Sequence, residues 1–172
     1  RTNRYGISFG QTKMNKRRSI SGWGPNSEFR HGKLGEKGDK GELHVQSYCK
    51  EKGLLHEDLN DRASQCILKV DAKIDGKLVD VKTNVFGDYP HDMHFVEMVS
   101  HKGSEGWAVS SSAEEIWAVN KDTDDIFVYP LGEMRDYLKD RSLRRASRKD
   151  TNKALGVYLP LTKCKFVKHL VK

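Results

Sequence analysis

Cysteine is scarce and poorly placed for structural chemistry. Cys49, Cys66 and Cys164 are odd in number and far apart. No C-x-x-C pair exists, so neither a disulfide framework nor a zinc knuckle is indicated. A reducing, intracellular and cytoplasmic setting is expected. Long apolar runs are also missing. None exceeds the four residues Ile116-Trp117-Ala118-Val119, which excludes a helical membrane span. There is no signal-peptide pattern of charge, apolar stretch and small-residue cleavage site. The first residue is Arg rather than Met, and the natural start is expected to be missing. No G-x-x-x-x-G-K-S/T stretch supports an ATP-driven motor. Ser110-Ser111-Ser112 lacks the G-x-S-x-G setting of a serine hydrolase. His91-x-x-His94 has metal-like spacing, with His101 nearby, but no cysteine accompanies it and His91 follows Pro90 in a loop. A zinc site is disfavoured.

What is present suits one domain of modest core with flexible ends: 172 residues, 36 % hydrophobic and 32 % charged. The net charge of +7 is unevenly spread. Residues 1–41 hold ten basic and three acidic side chains, residues 42–138 ten and nineteen, and residues 139–172 eleven and two. Two basic arms thus flank an acidic centre. Such arms attract nucleic-acid backbones by counterion release, with ordinary surface charge as the plainer explanation. The acidic centre needs a separate reason, because acid repels phosphate unless a metal mediates.

The coarse pattern runs helix, strands, helix. A helix is expected over 40–53, stopped by Gly53. Residues 67–75 and 77–86 read as two strands around Asp75-Gly76, a strong hairpin signal. Phe95 to Val99 reads as a strand, and Ile116 to Val119 and Ile126 to Tyr129 as a pair. A helix starts after Pro130, where Leu131, Met134 and Leu138 recur at helical spacing. This order points to an α/β or α+β fold around a central mixed sheet. Arg141, Arg144, Arg145 and Arg148 follow helical spacing and predict one basic stripe suited to phosphates. Arg17 and Arg18 are the corresponding candidates in the first arm.

The hairpin carries the chemistry. A two-residue turn at Asp75-Gly76 opposes Asp71 to Asp80, Ala72 to Val79 and Val70 to Val81. Alternation then puts Val70, Ala72, Ile74, Val79 and Val81 on one apolar face. Asp71, Lys73, Asp80 and Lys82 fall on the other. Like charges directly opposed are destabilising, and Asp is a poor strand former. Two aligned carboxylates therefore want a cation. Mg²⁺ is commonly held by one or two carboxylates with waters and a phosphate oxygen. The plainer explanation is a solvent-facing strand whose aspartates are neutralised by Lys69 and Lys73.

Asp71, eight intervening residues and then Asp80-Val81-Lys82 resemble the D…(D/E)-x-K signature of the PD-(D/E)XK nuclease superfamily. That superfamily includes restriction endonucleases, archaeal Holliday-junction resolvases and nucleases of phages or mobile elements. The resemblance implies a restriction-endonuclease-like αβββαβ core over 37–138, with a central mixed sheet flanked by helices. It leaves 1–36 as a basic arm or extension, and 139–172 as a basic C-terminal helix and tail packed on the core. Val70 stands where the familiar proline would be. Lys37-Gly38-Asp39-Lys40-Gly41-Glu42 resembles the G-x-x-G-E entry to an upstream helix, which implies Glu42 as a third acidic ligand. Asp39-x-x-Glu42 also reads as a capping box at a helix start, and both readings stand. Phe95-Val96-Glu97-Met98-Val99, followed by Gly106-Trp107, resembles a strand that some phage members place beside the metal, which makes Glu97 a second metal candidate; an edge or surface Glu is the plainer explanation.

The resemblance thus implies a Mg²⁺-dependent DNA endonuclease, with Mn²⁺ substituting. Asp71, Asp80 and Glu42 would hold the metal and Lys82 would act on the nucleophilic water. The expected partner is double-stranded or branched DNA, with a homodimer reasonable for double-strand cleavage. The rival reading is a non-catalytic nucleic-acid-binding protein on a nuclease-like scaffold. An intact Lys82 beside two acids argues against it.

Overall fold

A computed structural model describes residues 33–59, 61, 63–84, 93–100, 102–120, 122–142, 144–145 and 154–170. For 33–39, Asn84 and 144–145 only the backbone is described. The chain divides into two compact units, 1–36 and 37–172. Only the helical residues 33–36 of the first are described, and every described strand belongs to the second.

Helix α1 (Lys33–Lys52) starts earlier than its apolar periodicity indicates, because Gly35, Gly38 and Gly41 dilute the pattern. It ends where expected: Gly53 adopts φ 70° and the Leu54 N–H donates to the Cys49 carbonyl at 2.9 Å. Strand β1 (His56–Asp58) follows, then a π-helical turn (Ser64–Leu68), β2 (Ala72–Ile74) and β3 (Lys77–Asn84). The turn between β2 and β3 has positive φ at both Asp75 and Gly76, the conformation a tight hairpin demands. The strand expected over 67–75 is shorter than its sequence suggested. A π-helical turn takes Ser64–Leu68, and Lys69 reverses the chain at φ 54°.

Strand β4 (Met93–Val99) precedes a single helical turn, α2 (Trp107–Ser110). Then come β5 (Glu115–Asn120), β6 (Ile126–Pro130), α3 (Leu131–Leu138), β7 (Arg144–Arg145), β8 (Leu155–Pro160) and β9 (Lys168–Leu170). The fold is mixed α+β, with a central six-stranded mixed sheet ordered β1-β2-β3-β5-β6-β9 and flanked by helices. Only the β3–β5 pairing in it is parallel. Strand β4 leaves this sheet and forms a second one, β4-β8-β7.

Among the described residues of 139–172 the elements are strands and a short helical turn rather than the basic α-helix expected there. Arg144 and Arg145 pair with Gly156 and Leu155 as strand, and β9 extends the central sheet beside β6. The helical spacing of those arginines was coincidental; edge pairing overrode it. Arg141 lies in a coil with its guanidinium over the Tyr137 ring at 4.3 Å. Arg17, Arg18 and Arg148 lie outside the described residues. Among the described residues no helix is long and apolar enough to cross a membrane.

One face of the central sheet carries Ala72, Ile74, Val79, Val81, Trp117, Val119, Ile126 and Val128, covered by Val45 and Cys49 of α1. Helix α1 comes very close to β3 at Gly41, where a β-carbon would collide with Thr83. Glycine accommodates that approach without moving the Thr83 side chain.

Candidate active site

The site lies on the other face of the β2–β3 hairpin. The register pairs Ala72 with Val79 and Lys73 with Leu78, as expected, and ends there: Asp71 precedes β2, with its carboxylate near enough to Asp80 to act on it. The Asp71 N–H donates to the Val79 carbonyl at 2.9 Å, and the Asp71 Oδ2 accepts from the Val81 N–H at 2.7 Å. Asp71 is therefore fixed by its own neighbour strand although it precedes β2.

Asp80 is only 1 % exposed. One of its oxygens, Oδ1, takes a hydrogen bond and ion pair from Lys82 Nζ. The other, Oδ2, is buried and meets no donor among the described residues. An orphaned carboxylate oxygen in a dry site is costly. Burial pushes the Asp80 carboxyl up to about 6; Lys82 opposes the rise and the Asp71 carboxylate adds to it. Burial alone would lower the Lys82 ammonium, but Asp80, Asp71 and Glu42 outweigh it and the net shift is upward. Lys82 is thus a cation, with its side chain still 28 % exposed.

Glu42 is half-buried on α1, and its charge acts on Lys82. The helix starts well before residue 39, so Glu42 sits inside it and cannot serve as a capping-box residue. Glu97 is half-buried on β4, opposite in alternation to His94, Val96 and Met98. Its stem lies against Gly106. Of the suggested neutralisers, Lys73 is exposed and Lys69 donates to Ser110 Oγ at 2.5 Å. Neither neutralises the pair; Lys82 does so in part.

Beside the carboxylates stands an aromatic cluster that the sequence reading missed, buried at His94 and Tyr129 and half-buried at Trp107. His94 Nδ1 and the Tyr129 hydroxyl share a hydrogen bond of 2.8 Å. The His94 ring stacks on Trp107, centroids 5.6 Å apart, and Lys82 Nζ lies over the Trp107 ring at 5.7 Å. Burial, with the Lys82 charge, lowers His94 to about 3, so its imidazole is neutral. Burial and then the Asp80 carboxylate hold the Tyr129 phenol protonated. His94 is therefore a satisfied core histidine; its spacing partner His91 lies outside the described residues. The signal that identifies the cluster is the alternation of β4, which puts His94 in phase with the core residues Val96 and Met98.

Among the described residues, no three His, Cys, Asp or Glu side chains converge into a complete metal cage. A hard cation that keeps its waters does not need one. Paired carboxylates, one with a donorless buried oxygen and a raised affinity for a proton, fit such an ion.

No family model matches the chain, and no curated protein sequence matches it. Among solved structures, the bacterial homing endonuclease I-Ssp6803I is similar at a TM-score of 0.46 and 15 % identity, over 78 % of this chain and 79 % of that one. At that similarity the neighbour assigns nothing to individual residues here.

Proposed function

We propose that this chain is a Mg²⁺-dependent DNA endonuclease of the PD-(D/E)XK type. The observation that supports this most is the buried Asp80 beside the half-buried Asp71, with Asp80 Oδ2 lacking a donor among the described residues and Lys82 alongside. A protein that only bound nucleic acid would gain nothing from carboxylates that repel phosphate. Asp71 and Asp80 would hold the cation, with Glu42 joining through water. When bound, the ion supplies Lewis-acid stabilisation of charge at a phosphoryl oxygen.

The chain's own residues do the rest. Lys82 is cationic, so it works as a donor: Nζ orients the attacking water and stabilises charge developing on the phosphate. The Trp107–His94–Tyr129 cluster keeps bulk water from one side of the site, which strengthens the charges beside it. Attack forms a water O–P bond in line with the breaking P–O3′ bond. The attacking water releases one proton to solvent and the 3′ oxygen takes one from it, so 5′-phosphate and 3′-hydroxyl ends result. The two basic segments of the sequence would hold duplex or branched DNA, and two copies would serve double-strand cleavage.

The test is incubation of supercoiled plasmid and of a branched duplex with Mg²⁺, Mn²⁺ or EDTA. Nicking or linearisation with either metal and none in EDTA is expected. Binding without cleavage of either substrate in both metals would favour the non-catalytic reading instead.

A further inference from the structure

Building on the phosphodiesterase reading of the Asp71–Asp80 site, we propose that Lys69 and Ser110 form a phosphate-binding subsite beside it, which takes the phosphodiester next to the one cleaved. Lys69 adopts φ 54° and ψ 56°, a left-handed conformation that suits glycine and strains a residue with a β-carbon. The surroundings enforce it. The Lys69 N–H donates to the Ser64 carbonyl, Ser111 Oγ donates to the Lys69 carbonyl at 2.9 Å, and the Ser112 N–H donates to the Leu68 carbonyl at 2.8 Å. These hydrogen bonds hold the lysine in a conformation a side-chain-bearing residue seldom adopts.

The ammonium has a defined place and spare capacity. Lys69 Nζ donates to Ser110 Oγ at 2.5 Å, and Ser110 Oγ donates its own proton to the Gly106 carbonyl at 2.8 Å. Two of the three Lys69 N–H groups remain. Among the described residues no carboxylate pairs with it. Both Lys69 and Ser110 are half-exposed.

Its position relates it to the carboxylates. Lys69 precedes Asp71 by two residues, and Lys82 follows Asp80 by two. Helix α2 reaches both lysines, Trp107 lying under Lys82 and Ser110 bonded to Lys69. One helical turn thus contacts both lysines, and Lys82 is the one paired with Asp80. A nucleic-acid strand is a row of phosphates, so a second cation beside the reacting centre has a ready occupant: the neighbouring phosphate, whose approach to two carboxylates needs a compensating charge.

Lys69→Gly and Lys69→Arg separate a subsite from a structural strut. Duplex binding in EDTA is followed by anisotropy across a salt series, alongside thermal melts and cleavage kinetics in Mg²⁺. Lys69→Gly relieves the backbone, so its melting temperature is expected to equal or exceed that of wild type. Its log–log salt slope is expected to shrink by about one unit, for one lost phosphate contact. KM is expected to rise more than kcat falls, and Lys69→Arg to keep the wild-type slope. A lower melting temperature with an unchanged slope would make Lys69 a strut and overturn the subsite, as would a wild type that binds no DNA. If wild type binds but never cleaves, the hydrolytic reading falls while the slope still decides the subsite.

Discussion

The two faces of β3 differ in what their burial achieves. On one, Val79 and Val81 pack with Ala72, Ile74, Val45 and Cys49 as apolar against apolar. On the other, Asp80 is as deeply buried as any of them but has one unsatisfied oxygen, a neighbouring carboxylate and a single cation. The same strand, with side chains alternating by one residue, thus contributes stability on one side and costs it on the other. Proteins concentrate such local costs at functional sites, which is why the polar face is read as chemistry and the apolar face as scaffold.

Substitution on the two faces should separate those roles. Lys82→Ala should lower cleavage by about 10²–10³ or more, the effect of losing a preorganised donor to the transition state. DNA affinity should stay nearly unchanged, because Lys82 is one charge among many. Parallel loss of binding and cutting would remove the role assigned to it. Ile74→Ala on the apolar face should cost about 2–5 kcal/mol of stability in urea unfolding, as for other buried large-to-small changes. Its residual folded fraction should cleave normally. A stability loss under about 1 kcal/mol would show that this face is not the main core.

The third contrast is in pH. The Asp80 carboxyl is raised from 3.8 to about 6 in the folded protein. Its ionised form therefore penalises the fold fully above about pH 6, and the penalty fades as pH falls toward 3.8. In EDTA, this group should make wild type more stable at pH 5 than at pH 7.5, by on the order of 1–2 kcal/mol. Asp80→Asn should lack that gain. Equal pH profiles for the two proteins would contradict the burial of an ionised Asp80.

The sequence made the hairpin legible because Asp75-Gly76 fixes both turn and register, and the register fixes which side chains share a face. Strands β5 and β6 and helix α3 were legible for similar reasons: continuous apolar runs and a proline start. The second sheet was not. Its members β4, β7 and β8 are far apart in sequence, and β7 is two arginines whose spacing imitates a helix. The start of α1 was hidden by three glycines, yet Gly41 is what lets the helix meet Thr83. Asp71, Asp80 and Lys82 were singled out by type and register, and Glu42 by the resemblance of its G-x-x-G-E setting. Trp107, Tyr129 and the Lys69–Ser110 pair were not, since only tertiary packing brings them together.

The central claim is that the neighbouring carboxylates are a cation site whose metal-free state is destabilised. Thermal melts of wild type and Asp80→Asn at pH 7.5, in EDTA and in millimolar Mg²⁺, test it most directly. In EDTA the variant should melt at or above wild type, because neutralising Asp80 removes the buried repulsion. Mg²⁺ should raise wild type and leave the variant nearly unmoved, since a ligand that binds only the folded state stabilises by mass action and the variant has lost half the site. A variant that melts below wild type in EDTA, with Mg²⁺ shifting neither protein, would contradict the account.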